Sequence, residues 1–376
     1  MNFMTKKINI LHILPNLSRG GAERVAVDIL KNLDRTRFAP ALLLFKDNHQ
    51  GEEMRAELQA ADVPIISLHK RLVIDPLNIA LIIRAVNKLK PDIIHTHLGG
   101  DIYGILAGRL NKVPIIVSTE HNVNKSAKKS AELIKKINLK SVSKIFAVSS
   151  AVREDAINRY RLNPDKITIV YNGVDSNFFD QSTVSDWLPG RDNSEKVVIG
   201  ALGRLSPQKG FMSLIEAAAK TKNKNYLIEI GGVGEMAGEL RKRIKDLELI
   251  NRVRLVGPVN TKNFLSQVDI FVLPSLWEGL GLVILEAAAS AKPIIASATG
   301  GILEILNEDN AWLFPVGDDD ALAQKIDFLI NNLEAPETKF KIEAAKNLVS
   351  EKFSLEKMVA KYSQWYEALL NNSKPE

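Results

Sequence analysis

Short apolar runs and amphipathic segments alternate along this chain from end to end. In the first half, apolar runs at 8–14, 41–45, 65–68, 92–96, 115–119, 145–148 and 167–170 have the length and composition of buried strands. Segments at 23–33, 76–89 and 151–160 repeat apolar residues at the three- and four-residue spacing of a helix face. Alternation at this spacing predicts a parallel sheet covered by helices on both faces. The second half repeats the scheme, with strands predicted at 197–202, 227–230, 253–256, 270–273 and 293–296. Between the halves, DSNFFDQSTVSDWLPGRDNSE is polar, rich in turn formers and without periodicity. The predicted organisation is a domain over 1–175, a linker over 176–195 and a second domain over 196–353. Helical patterns at 338–352 and 355–370 close the chain.

The stretch 274–301, PSLWEGLGLVILEAAASAKPIIASATGG, organises the second half. A buried strand stops at Pro274-Ser275, a loop carries Glu278, Gly279 and Gly281, and a helix follows before the next strand. Open parallel sheets bind nucleotides at such glycine-rich turns, where helix-start amides favour anions. Glu286 lies two helical turns beyond Glu278, among Leu282, Val283, Ile284, Leu285 and small residues. It is either an exposed charge on a surface helix or a carboxylate that needs partners.

Three other loops leave predicted strands in the same way. Residues 203–210, GRLSPQKG, carry Arg204 and Lys209. A forked guanidinium and a mobile ammonium suit a diphosphate, and two solvated loop cations are the alternative. Residues 16–23, NLSRGGAE, carry Gly20 and Gly21, which permit close backbone approach to a ligand or a tight strand-to-helix turn. The spacing is not G-x-G-x-x-G, which disfavours NAD and FAD. GGVGE at 231–235, read alone, is a turn.

Composition narrows the field. A chain of 376 residues has room for two domains. The absence of cysteine excludes disulfides and zinc–thiolate sites. No apolar run approaches the ~20 residues that span a bilayer, and the first apolar run reads as a strand rather than a signal peptide. The net charge of +6 suits anionic partners: nucleotides, nucleic acid or an acidic membrane. No aromatic-interleaved basic platform accompanies it, so nucleic acid is disfavoured. The basic segment 124–144, with Lys128, Lys129, Lys135 and Lys136, is an amphipathic helix packed on its domain or a surface for an anionic membrane or lipid diphosphate. His95 and His97 alternate like half a metal site, but no third ligand stands at a fixed spacing. Asp101 reads as a helix cap, and Asp318-Asp319-Asp320 as a capped helix start rather than a metal triplet.

Glu278 and Glu286, with Pro274-Ser275 before and Gly300-Gly301 after, resemble the E-x7-E signature of retaining GT-B glycosyltransferases of family 4, the glycogen-synthase-like group. The resemblance covers nearly the whole chain, with separate motifs in the expected order. It implies an α/β GT-B fold: two Rossmann-like domains facing an interdomain cleft, with segment 354–376 crossing back to the first. It implies that Arg204 and Lys209 bind the departing diphosphate, Glu286 the ribose hydroxyls and Glu278 the donor sugar. Amides at Gly279, Leu280, Gly281 and Leu282 would meet sugar or phosphate, with Val259 near the base. The Gly20-Gly21 loop would face the donor diphosphate or the acceptor, and His121 the donor sugar; His97 falls on the acceptor side. Glu120 departs from the family's common form, which leaves acceptor contacts there open.

The activity so implied is transfer of a hexose or N-acetylhexosamine, with retention, from a nucleoside diphosphate sugar to a saccharide or lipid-linked acceptor of a bacterial surface polymer. UDP is favoured over GDP, no metal or other cofactor is expected, and a cytoplasmic location at the inner membrane face is expected. The rivals are sugar-nucleotide epimerisation, a noncatalytic nucleic-acid-binding protein and an inactive scaffold.

Overall fold

A computed structural model describes residues 6–18, 20–46, 51–68, 76–123, 129–180 and 196–372. The chain forms two compact units, 1–172 with 355–376, and 173–354. Each is a Rossmann-like domain built on one parallel sheet.

The first sheet holds β1 (Ile8–Leu14), β2 (Phe38–Leu44), β3 (Ile65–Ser67), β4 (Ile93–His97), β5 (Ile115–Glu120), β6 (Lys144–Ala147) and β7 (Ile167–Ile169). Their order is β3-β2-β1-β4-β5-β6-β7. The chain winds outward from β1 and then restarts on its other side, so the topological switch lies between β1 and β4. In open sheets ligands gather there, beyond the carboxyl ends of the strands. Three of these strands carry polar residues into the core: His12 in β1, His95, Thr96 and His97 in β4, and Ser118, Thr119 and Glu120 in β5 are buried. The parallel register sets His12 beside His95, and His97 beside Thr119.

The last helix, Leu355–Leu370, belongs to this first unit. Its Tyr362 and Tyr366 are fully buried, edge-on to Phe146 and Phe38 at centroid distances of 5.1 and 6.2 Å. Each such side chain contributes about 2–3 kcal/mol by leaving water. The Lys144 ammonium over the Trp365 ring and an ion pair between Arg37 and Glu367 finish the seam.

The second sheet holds β8 (Val197–Leu202), β9 (Tyr226–Gly231), β10 (Val253–Gly257), β11 (Ile270–Leu273), β12 (Ile294–Ser297) and β13 (Trp312–Phe314), in the order β10-β9-β8-β11-β12-β13. Its switch lies between β8 and β11. Ile199, Ile228, Ile230, Val272 and Phe314 meet in its core. β13 has no counterpart among the predicted strands. The stretch read as linker begins with a helix, Ser176–Asp180, whose Phe178 ring lies under the Lys262 ammonium at 4.4 Å. Residues 181–195 of that stretch lie outside the described residues. The chain enters and leaves this unit side by side, where Val174 N–H donates to the Phe353 carbonyl at 2.9 Å.

Candidate functional site

In the second unit the loops that follow β8, β9, β11 and β12 are stitched to one another by backbone. The Leu276 amide donates to the Gln208 carbonyl at 2.8 Å, and the Gln208 side-chain amide donates to the Trp277 carbonyl at 3.1 Å. The Leu205 amide donates to the Val233 carbonyl at 2.9 Å, and the Gly301 amide to the Glu278 carbonyl at 3.3 Å. Contacts this close require glycine. Gly210 has a positive φ of 62°, and a Cβ there would sit 2.0 Å from the Pro274 oxygen. A Cβ on Gly301 would sit 1.9 Å from the Gly279 oxygen. The sequence GRLSPQKG thus folds as a turn whose glycine lets it lie against the β11 loop.

This stitching fixes Lys209 against Glu278. The Lys209 ammonium donates to Glu278 Oε1 at 2.5 Å, and the Ser275 hydroxyl donates to the same oxygen at 2.7 Å. Both side chains are largely buried, at 17% and 6% exposure. A desolvated pair of this kind is retained only with hydrogen bonds in place. An ammonium has three N–H donors, so Lys209 keeps two beyond this bond, and Glu278 Oε2 keeps its lone pairs.

Arg204 is placed differently. Its side chain is 73% exposed and meets exposed Glu235 at 3.2 Å. Glu286 is half-buried on the helix Leu282–Ala289. That helix starts after Gly281, whose positive φ of 86° turns the chain so that the first-turn amides head it without side-chain capping. Gly279 and Leu280 are buried beneath, and Leu282 is half-buried. Val259 is half-buried against Gly231, where a Cβ would meet its methyl at 3.0 Å. Lys209, Glu278 and the 279–282 amides therefore form one assembly, and Arg204 stands at its solvent side. Asp318 accepts from the Ala321 amide at 2.9 Å, the helix-capping role expected of the acidic triplet.

In the first unit, Gly20 caps the helix Gly21–Asn32. The space beside it is taken by the Glu23 carboxylate, which buried Glu23 turns back toward Ser18. Burial raises the Glu23 carboxyl above its usual range.

The histidines form a chain. His121 Nε2 lies 3.0 Å from His97 Nδ1, and His97 Nε2 lies 3.0 Å from His12 Nδ1. His12 Nε2 lies 3.3 Å from the Tyr366 hydroxyl, which lies 2.6 Å from His95 Nδ1. His95 Nε2 lies 2.6 Å from Thr119 Oγ1, itself 3.3 Å from the Tyr362 hydroxyl. Burial pushes the His12 and His121 imidazoles down to about 3 and lowers His95 and His97 well below the ordinary value, so all four are neutral at pH 7. His12, the third imidazole absent from the sequence reading, sits in a strand that reads as plain core. A buried histidine in an otherwise apolar strand was the available signal. The imidazoles of His12, His95 and His97 bring nitrogens within 4.8 Å of one another, a spacing compatible with a metal ion. Both nitrogens of all three rings are already engaged within the chain of hydrogen bonds.

Beside His121, Glu120 is buried and takes the Lys135 ammonium at 2.7 Å, with buried Asp101 at 3.8 Å from it. Burial raises the Glu120 carboxyl; it works against the Lys135 ammonium too, but Glu120 and Asp101 outweigh it and hold that ammonium charged. Lys135 therefore turns inward and is no part of a solvent-facing basic surface. Asp101 does not cap its helix. Its Oδ1 accepts from Thr96 at 2.6 Å and Ser118 at 2.8 Å, tying that helix to the strands. Lys129 opens the helix Lys129–Ser141, Lys136 is half-buried on it, and Lys128 lies outside the described residues. Leu133, Ile134 and Ile137 of this helix are exposed. Among the described residues no helix is long and apolar enough to cross a membrane.

Two family models match the chain in succession. Glycosyltransferase Family 4 matches residues 19–178, and Glycosyl transferases group 1 matches residues 189–347. An Escherichia coli protein, UDP-Gal:alpha-D-GlcNAc-diphosphoundecaprenol alpha-1,3-galactosyltransferase, is 29% identical over 367 residues, covering 91% of this chain and 94% of its own length. A glycosyltransferase from Rickettsia africae superimposes with a TM-score of 0.82 at 26% identity over 98% of this chain and 100% of that one. Anabaena HepE, crystallised with UDP and glucose, superimposes with a TM-score of 0.85 at 22% identity over 96% of this chain and all of its own, a likeness of fold.

Proposed function

Since the chain belongs to the GT-B glycosyltransferases, with a family 4 half and a group 1 half, we propose that it moves a hexose or N-acetylhexosamine from a UDP-sugar to a lipid-linked or other saccharide acceptor, with retention and without a metal. The observation that carries this reading is Lys209, half-buried at the head of the stitched loops with N–H donors to spare. The likeness to the Escherichia coli galactosyltransferase along nearly its full length supports UDP and a diphosphate-lipid acceptor.

In this reading the second unit holds the donor. Lys209, Arg204 and the amides of residues 279–282 take the diphosphate, Glu286 the ribose hydroxyls, and Glu278 Oε2 a hydroxyl of the sugar. Val259 borders the base. His121 serves the transferred sugar. The acceptor oxygen bonds to the anomeric carbon on the face from which the diphosphate departs. The carbon–oxygen bond to the diphosphate breaks, and the acceptor's proton passes to the departing diphosphate oxygen. Positive charge and amide dipoles aimed at that oxygen lower the barrier as its charge develops. The helix Lys129–Ser141, with Leu133, Ile134 and Ile137 exposed beside Lys136 and Lys140, rests on an anionic membrane surface where such an acceptor resides.

The test is a thermal-shift screen against UDP, GDP, ADP and their sugars, followed by transfer to a polyprenyl diphosphate saccharide. UDP and one UDP-sugar should raise the melting temperature, and the product's anomeric proton should keep the donor's configuration with EDTA present. A shift with none of the nucleotides, or an inverted product, would sink the reading.

A further inference from the structure

We infer that Tyr366, on the last helix, sets the tautomer of His121 through the buried hydrogen-bond chain, so that His121 presents Nδ1–H as a donor. Only the purpose of that donor, service to the transferred sugar, rests on the function proposed above.

The chain is single file: Tyr362, Thr119, His95, Tyr366, His12, His97, His121. Each neutral imidazole carries one N–H and one bare nitrogen, and each hydroxyl one hydrogen. Tyr366 can donate to His95 or to His12, but not to both. Its choice therefore sets every other proton, and only two arrangements are free of internal conflict.

In the first, Tyr362 donates to Thr119, and Thr119 to His95 Nε2. His95 Nδ1–H then donates to Tyr366, whose hydroxyl donates to His12 Nε2. His12 Nδ1–H donates to His97 Nε2, and His97 Nδ1–H to His121 Nε2. His121 is left with its hydrogen on Nδ1. In the second, every bond runs backwards. His121 then donates from Nε2, and His95 Nε2–H donates to Thr119.

The far end of the chain separates the two. Among the described residues the Tyr362 hydroxyl meets one partner, Thr119 Oγ1. In the backward arrangement, Thr119 already receives the His95 hydrogen. Whether Thr119 then donates to Tyr362 or the reverse, one buried hydroxyl hydrogen is left without an acceptor. The forward arrangement satisfies every hydrogen as far as His121. Each polarity thus leaves one hydrogen unpaired, the backward one at the wholly buried hydroxyl end and the forward one at half-buried His121. Only the hydrogen at His121 lies where an incoming oxygen can take it up, so the forward polarity prevails. His121 Nδ1 is buried and has no partner among the described residues in either case. The forward polarity thus ends on an N–H without an acceptor, beside the switch-point strands of the first unit, and a ligand oxygen would satisfy it.

Tyr366 is a positioning residue in this account and does not touch substrate, and Tyr362 serves as the control. The experiment uses the full-length chain with 15N-labelled histidine. Long-range nitrogen–proton correlation tells a protonated ring nitrogen from a bare one. The chain has six histidines, and the His121 signals are identified as those lost in His121→Gln. In the wild type, His121 should be protonated at Nδ1 and bare at Nε2. Tyr366→Phe and Tyr362→Phe remove one hydroxyl each and keep the rings. Tyr366→Phe breaks the chain and should mix or reverse the His121 tautomer, whereas Tyr362→Phe leaves the unpaired hydroxyl hydrogen of the backward polarity on Thr119 and should leave the tautomer in place, with circular dichroism native in both. In Tyr366→Phe, kcat/KM for sugar transfer should fall about tenfold, the worth of one hydrogen bond, while affinity for UDP, which has no sugar, is unchanged. A wild-type His121 protonated at Nε2, or a tautomer unmoved by Tyr366→Phe, would overturn the inference. The expected tautomers in a protein that transfers no sugar would uphold it and defeat the proposed function instead.

Discussion

The Lys209 ammonium lies 2.5 Å from Oε1 of Glu278 in the folded chain, although 69 positions separate the two in sequence. Both are largely buried, so each keeps the other from being an isolated charge. Lys209→Met strands Glu278 and should cost about 3–4 kcal/mol. Adding Glu278→Gln should restore at least about 1 kcal/mol of that, because the stranded charge is then gone. Calorimetric melting of the two single variants and the double variant measures the coupling, and strictly additive losses would show that the pair is not an energetic unit. Transfer should be lost in all three.

Arg204 separates catalysis from stability in the opposite way. Its exposed pairing with Glu235 is of the kind that adds little to folding. Arg204→Ala should melt like the wild type. If its guanidinium takes the diphosphate, kcat/KM should drop about 10- to 100-fold. Full activity would return Arg204 to the status of a solvated loop cation.

Much of this was legible in the sequence because it is written locally. Buried strands appear as apolar runs, and the second unit's loops as glycine-rich stops after them. The E-x7-E spacing places Glu278 and Glu286 in one strand–loop–helix unit. What the sequence hid depends on register and on distant partners. His12 and His95 become neighbours only when β1 pairs with β4, and Tyr366 joins them from 271 positions beyond His95. Lys135 reads as one lysine of a basic run, yet two buried carboxylates turn it inward. Periodicity does not show which lysine on a helix faces a buried acid.

Two glycines make a contrast in packing. A Cβ at Gly301 would overlap the Gly279 oxygen at 1.9 Å, whereas one at Gly238, in the helix Ala237–Asp246, would have nothing within 4 Å. Gly301→Ala must displace the loop that carries Glu278. It should cost about 1–3 kcal/mol and weaken UDP-sugar binding. Gly238→Ala should gain up to about 1 kcal/mol through helix propensity and leave binding alone. Melting curves with and without UDP check both, and an unaltered UDP shift in Gly301→Ala would detach that loop from the donor.

Leu133 and Ile137 are 59% and 57% exposed on a helix that also carries Lys136 and Lys140. Buried in an anionic bilayer surface, such residues add apolar transfer energy to the attraction of the lysines. Pelleting with vesicles containing anionic lipid should retain the wild type and release a Leu133→Ser/Ile137→Ser variant. That variant should still use a water-soluble acceptor at the wild-type rate. Equal pelleting of both proteins would remove this helix from any membrane role.

Four adjacent imidazoles held neutral by burial carry a pH signature. In the unfolded chain each titrates near 6.5, while His12 and His121 are pushed down to about 3 in the folded one and His95 and His97 lie well below their ordinary value. Between those limits the unfolded state binds more protons, so stability is fully present above pH 6.5 and falls as the pH is lowered through the window. Each histidine contributes a slope of about 1.4 kcal/mol per pH unit, or about 5.6 kcal/mol per pH unit for four. The Glu23, Asp28 and Glu120 carboxyls, raised by burial, work in the opposite sense and reduce the slope. Urea midpoints should fall steeply from pH 6.5 to pH 5, ahead of the ordinary carboxylate range. A flat midpoint across that interval would mean that these imidazoles accept protons in the folded state.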